Sequence, residues 1–89
     1  MRFSWDEDKN IENQINHDGI SFEEVVPMFR MGNYLVEFDS EHSTDSEDRY
    51  RAIGEIEFHG TVIAVFVEWE NVNPDDDEIR IISVRKKDW

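Results

Sequence analysis

The sequence predicts an α+β domain, with two N-terminal helices packed on one face of an antiparallel four-stranded meander. Three observations carry this reading. Helix caps and helical spacing are confined to the first third of the chain, a period of two takes over from Tyr34, and the last four β-like segments are joined by short connections. The 89 residues leave room for a single domain and one core, burying roughly 60% of the unfolded surface. A 38% apolar content with three Trp, six Phe and two Tyr marks the chain as folded.

Arg2 to Trp5 alternates enough for a short strand. Asp6 then stands as an N-cap, with Glu7 and Asp8 in the positive first turn, so a helix is expected from Asp6 to Asn16. Its apolar stripe is thin: Ile11 and Ile15, at i,i+4, are expected to face the core. His17 to Ile20 is a break, and Ser21-Phe22-Glu23-Glu24 is a capping box opening a second helix. Val25, Val26, Met28 and Phe29 should pack inward there, while Pro27 should kink or shorten it.

Tyr34, Val36 and Phe38 alternate with Leu35, Glu37 and Asp39, as in a strand with one buried face. Ser40 to Asp48 has no apolar residue and is expected to be a solvated, mobile loop. Arg49 to Phe58 alternates again and ends in a tight turn at His59-Gly60. Thr61 to Trp69 is nearly continuous in apolar β-formers, so it should be the central strand. Asn71 to Asp77 reads as a turn and Glu78 to Arg85 as the last strand.

Charge limits the function classes. Twenty-two acidic residues against nine basic ones give a formal net charge of −13, which disfavours general nucleic-acid binding and favours basic partners. No stretch is long and apolar enough to span a bilayer, and the N-terminus lacks a signal-peptide run, so a cytoplasmic protein is expected. Zero cysteines exclude disulfides and thiolate chemistry. The four glycines are scattered, with no phosphate-binding loop, and no cofactor is expected.

Neither His17, His42 and His59 nor the run Asp75 to Glu78 has metal-ligand spacing, so no metal site is predicted. Trp69 and Trp89 read as aromatics packed at an edge.

Several blocks together carry a resemblance. Phe3, Trp5-Asp6, Lys9, Asn13, His17 and Gly19-Ile20-Ser21-Phe22-Glu23-Glu24 form one; Asp39, His42-Ser43, Glu47, Arg49 and Ile53-Gly54 another; Arg80 to Lys86 a third. In order and spacing they resemble the BrnT family of toxin-antitoxin ribonuclease toxins. The resemblance implies a RelE-like fold, metal-independent RNA cleavage and a ribbon-helix-helix antitoxin partner of the BrnA type, encoded beside it. The chain departs from the family pattern at Asn16, where a Lys is usual, at Asp18, an added residue, and in stopping at Trp89, where the family continues into a helix.

Metal-free RNA cleavage needs a base, an acid and cations that steady the charge on phosphorus. On the family's fold, His17 is the proton shuttle, Glu23 its assistant, and Lys9, Arg49, Arg80 and Arg85 the phosphate holders. A second function class follows from charge. The acidic residues Asp39, Glu41, Asp45, Glu47, Asp48, Asp75, Asp76 and Asp77 can form a partner-binding surface. It would suit a basic antitoxin or, as a nucleic-acid mimic, a nucleic-acid-binding defence protein. RNA is a partner only under the ribonuclease reading.

Overall fold

The computed structural model describes residues 1–88; Trp89, expected at an edge, lies outside them. Strand β1 (Arg2–Ser4) leads into α1 (Glu7–Asn16), and a 3-10 turn (Phe22–Val25) runs into α2 (Val26–Met31). Strands β2 (Tyr34–Phe38), β3 (Tyr50–Ile56), β4 (Gly60–Trp69) and β5 (Glu78–Lys86) follow. The fold is α+β, as expected, and β2 to β5 form the antiparallel meander.

The sheet itself is larger than expected. It has five strands in the order β1-β5-β4-β3-β2, and β1 joins β5 in parallel, pairing Phe3 with Ile79. The sheet is therefore mixed rather than a four-stranded meander. Three residues carry too little pattern to announce a partner some 75 positions away.

Local signals explain the helices. Asp6 Oδ1 accepts the N–H groups of Asp8 and Lys9 at 2.9 and 3.3 Å, capping α1. Ser21 donates its N–H and its hydroxyl to Glu24 Oε1, at 3.0 and 3.1 Å. Pro27 has no N–H to give, and here it divides the segment into a 3-10 turn and a short α-helix. Gly32, at φ 70°, ends α2 in the left-handed region that glycine reaches without strain.

Helix α1 inverts the expected packing. Ile11 and Ile15 are 51% and 77% exposed, whereas Asn10 and Asn13 are buried. The apolar core takes no residue from α1; its cover is Ile20 of the link after α1, with Phe22, Val25, Met28 and Phe29 of the 3-10 turn and α2. Phe29 holds the layers together, its ring lying 5.0 Å from Tyr34, 5.1 Å from Phe66 and 5.9 Å from Phe3. Both helices are thus N-terminal as expected, but α1 docks on β5 by its amides and α2 carries the apolar contact.

Strand β4 is central, and Val62 through Val67 are buried on both faces. Strand β2 departs from expectation: as the edge strand it leaves Leu35, Val36 and Phe38 at least half exposed. The loop after it is largely exposed, as expected, and is tied by its own hydrogen bonds. Ser43 Oγ donates to Asp39 O at 2.7 Å and accepts the Arg49 N–H at 2.8 Å, and Thr44 bridges Glu47. Side chains at short polar spacing, read from sequence as solvated, close this loop on itself.

Candidate functional site

Two buried asparagines set the position of α1. Asn10 Oδ1 accepts the Phe22 N–H at 2.8 Å, and its Nδ2 donates to Glu23 Oε1 at 2.6 Å. Asn13 Oδ1 accepts the Val84 N–H at 3.0 Å, and its Nδ2 donates to Ile20 O at 2.9 Å. Each amide uses donor and acceptor at once, so the helix is fixed in both register and rotation. That rotation decides where Lys9 and His17 stand.

Two adjoining hollows open beside α1. One, of about 280 Å³, is lined by Asp6 and Lys9 of the helix start, Glu47 and Arg49 of the loop, Trp69, and Arg80 to Ile82. The other, of about 180 Å³, is lined by Lys9, Glu12, Asn13, Asn16, His17, Ile82 and Ser83. Lys9 and Ile82 border both, so the hollows form one shallow groove along α1. Of the six residues expected to act on RNA, Lys9, Arg49 and Arg80 line the first hollow, and Lys9 and His17 the second.

The other two stand apart. Arg85 is exposed on β5 opposite Ile63, on the same sheet face as Ser83 but outside the groove lining. Glu23 is engaged by Asn10 and lines neither hollow. Its Oε1 accepts the Asn10 amide and so helps to hold α1.

The groove's cations differ in their freedom. Arg49 Nε is bound to Glu47 Oε1 at 3.0 Å. Among the described residues, Lys9, Arg80 and Arg85 form no ion pair. In a chain with more than two carboxylates per cation, Lys9 and Arg80 line the groove without an ion pair, while Asp6, Glu12 and Glu47 on the same lining balance its formal charge.

Sequence reasoning missed part of this surface. Trp69, 44% exposed, lines the groove as an open aromatic face; the sequence marks it as an edge aromatic but gives no hint of its neighbours. Asn16 and Ser83 add polar lining that no motif announces. Arg51 lies on the face opposite the helices, its Nη2 3.2 Å from Glu37 and its Nε buried without a hydrogen-bond partner.

The acidic surface needs correction at its first member. Asp39 is fully buried: its Oδ1 accepts the N–H groups of Glu41 and His42 at 3.2 Å each, and its Oδ2 lies 2.6 Å from His42 Nδ1. Burial pushes this carboxyl up, but the His42 bonds and the charges of His42 and Arg51 outweigh it, so it sits below the ordinary carboxylate value. It closes the loop and offers nothing to a partner. Glu41, Asp45, Asp48, Asp75 and Asp76 are exposed; Glu47 is held by Arg49, and Asp77 accepts the Asn71 N–H at 2.7 Å.

The same cluster is the one place where described side chains approach a metal-ligand arrangement. Ligand atoms of Asp39, Glu41 and His42 lie within 4.8 Å of one another. Both Asp39 oxygens are already engaged, so a cation would have to displace the bonds that close the loop. No helix is long and apolar enough to cross a membrane.

A family model described as "Ribonuclease toxin, BrnT, of type II toxin-antitoxin system" matches residues 5–88. No curated protein matches the chain.

Proposed function

The chain belongs to the BrnT family of ribonuclease toxins of type II toxin-antitoxin systems, and on that premise we propose that it cleaves RNA in the groove along α1. The observation that carries the assignment is that Lys9 and Arg80, neither bound to a carboxylate, line one hollow with Trp69, while Lys9 also lines the adjoining hollow with His17.

In this reading Lys9 and Arg80 hold the scissile phosphate and offset the charge that grows on it. Arg49, oriented by Glu47, takes a neighbouring phosphate. Trp69 stacks a base, an interaction open to every base because each has a π-face. His17 takes the proton of the attacking 2′-hydroxyl; that oxygen bonds to phosphorus as the bond to the 5′-oxygen breaks, and a proton must reach the leaving oxygen. Side-chain cations supply the positive charge, so cleavage proceeds without a metal.

The antitoxin is a basic protein of the ribbon-helix-helix type, drawn to a surface of net −13 by long-range attraction. No observation favours the nucleic-acid mimic: Asp39 is buried, and Glu47 is spent on Arg49. The test is cleavage of a single-stranded RNA by the purified chain in the presence of a chelator, compared with Arg80→Ala. Cleavage by the wild type, lost in the variant, is expected; cleavage that stops on chelation would overturn the metal-free mechanism.

A further inference from the structure

Between α2 and the β3–β4 hairpin lies a groove of about 780 Å³, more than twice the size of either hollow beside α1. Pro27, Met28 and Met31 form one apolar wall, and Ile56 with Phe58 the other. Gly54 forms part of the floor, where a Cβ would fall 2.7 Å from both Asn33 O and Met28 Sδ. Met31 is 71% exposed and Phe58 90%.

Phe58 is the informative residue. It sits at the hairpin tip with φ 70°, a left-handed conformation that costs a bulky side chain and that Gly or Asn adopts freely. The tip thus presents an aromatic ring to water where local folding alone favours a small polar residue. An exposed apolar patch of this kind marks a surface that another molecule covers.

Charge narrows the occupant. Glu24, Glu55 and Glu57 line the groove, and no Lys or Arg does. Phosphates are repelled there, and a second copy of a −13 chain brings like charge. The groove shares no residue with either hollow beside α1, and the hollow that holds Arg49, Trp69 and Arg80 lies at the other end of β4, roughly 25 Å away from Thr61 to Trp69 at strand spacing.

We propose that the α2–hairpin groove seats an amphipathic basic segment of the antitoxin, its apolar side chains against Met31 and Phe58 and its Lys or Arg residues against Glu55 and Glu57. The proposal rests on the toxin reading for the identity of the partner. It implies that the antitoxin can grip the toxin without entering the RNA groove, as an apolar helix face does in a groove of matching charge.

The first probe is a synthetic amphipathic peptide with Leu and Lys at helical spacing, titrated into isotope-labelled protein. Amide shifts at Met31 and at Gly54 to Phe58 are expected, weakening as salt rises; a Leu and Glu counterpart should leave the spectrum unchanged. Phe58→Asn combined with Met31→Gln removes two exposed apolar side chains while keeping the hairpin turn. It should weaken the Leu and Lys peptide about tenfold or more, whereas Ile15→Gln on α1 should not. In cells the same double variant should still arrest growth but no longer be relieved by the co-expressed antitoxin. Wild-type chain that fails to arrest growth would sink the toxin reading while leaving the peptide result standing. Shifts confined to the α1 groove, unchanged affinity in the double variant, or concentration-dependent dimers that bury Phe58 would each overturn the proposal.

Discussion

Asn13 and Val84, 71 residues apart, are joined by one hydrogen bond of 3.0 Å that does the work of a missing strand. Strand β1 covers the outer edge of β5 only as far as Arg80, and beyond it the Val84 N–H finds the Asn13 amide instead. Asn13→Ala leaves that N–H and the Ile20 carbonyl without a partner in a buried place. It should lower stability by about 2–4 kcal/mol, read as a lower urea midpoint at unchanged slope. Asn13→Asp keeps the acceptor for Val84 but sets a buried carboxylate oxygen against the Ile20 carbonyl, so a loss at least as large is expected at neutral pH.

Acid should loosen the molecule in two identifiable places. The Glu24 carboxyl, pushed up by burial but pulled down further by the Ser21 bonds and His59, lies below its ordinary value, as does Asp39. A depressed carboxylate contributes stability above its unfolded pKa, about 4, and loses it as pH falls through the folded value. The chain should therefore hold its stability above about pH 4 and lose it below. Asp39→Asn should flatten that acid limb, which thermal melts across a pH series will show.

RNA cleavage should respond to the groove cations without a matching change in stability. Lys9→Ala and Arg80→Ala should each lower kcat by about 10²–10³, with melting temperature nearly constant because neither residue forms an ion pair. Arg85→Ala, outside the groove lining, should cost far less. Equal losses for Arg80 and Arg85 would mean that the substrate runs across the open sheet face rather than along α1.

Proton transfer should fail separately from binding. His17→Ala should lower kcat by about 10²–10⁴ with little change in RNA affinity, since the helix it ends is held by Asn10 and Asn13. Single-turnover cleavage beside a binding titration distinguishes the two.

Gly54→Ala should destabilise by about 1–3 kcal/mol. The new methyl meets a backbone oxygen at 2.7 Å as well as the flexible Met28 Sδ. Met28→Ala is costly by itself because Met28 is buried in the core, but on that background Gly54→Ala should cost less by only the part owed to the side chain, because Asn33 O cannot step aside. Denaturant curves for the single and double variants measure that difference.

Much of this fold is legible from sequence because local rules and tertiary demands agree. Asp6 caps α1, Pro27 shortens α2, and Thr61 to Trp69 falls in the central strand, buried on both faces from Val62 to Val67. Reading fails where polar groups do what apolar ones usually do. The 3.6-residue period correctly gives α1 as a helix but assigns its inner face to Ile11 and Ile15, because hydrophobicity cannot anticipate amides satisfied by Phe22, Ile20 and Val84. Asp39 misleads in the same way, a carboxylate whose partners sit within three residues and draw it inward. In the site, the residue types were visible but their convergence was not, since Lys9, Arg49 and Arg80 lie on three separate elements.

The parallel pairing of β1 with β5 fixes the order in which this protein becomes dangerous. Lys9 lies on α1, and the wall it faces, Arg80 to Ser83, lies on β5, far along the chain. Neither half of the groove exists until chain segments more than seventy residues apart have closed the sheet, and such non-local closure is slow compared with local helix formation. A chain interrupted before Arg80 carries no partial site. The site thus comes into being with the closed sheet and not before it.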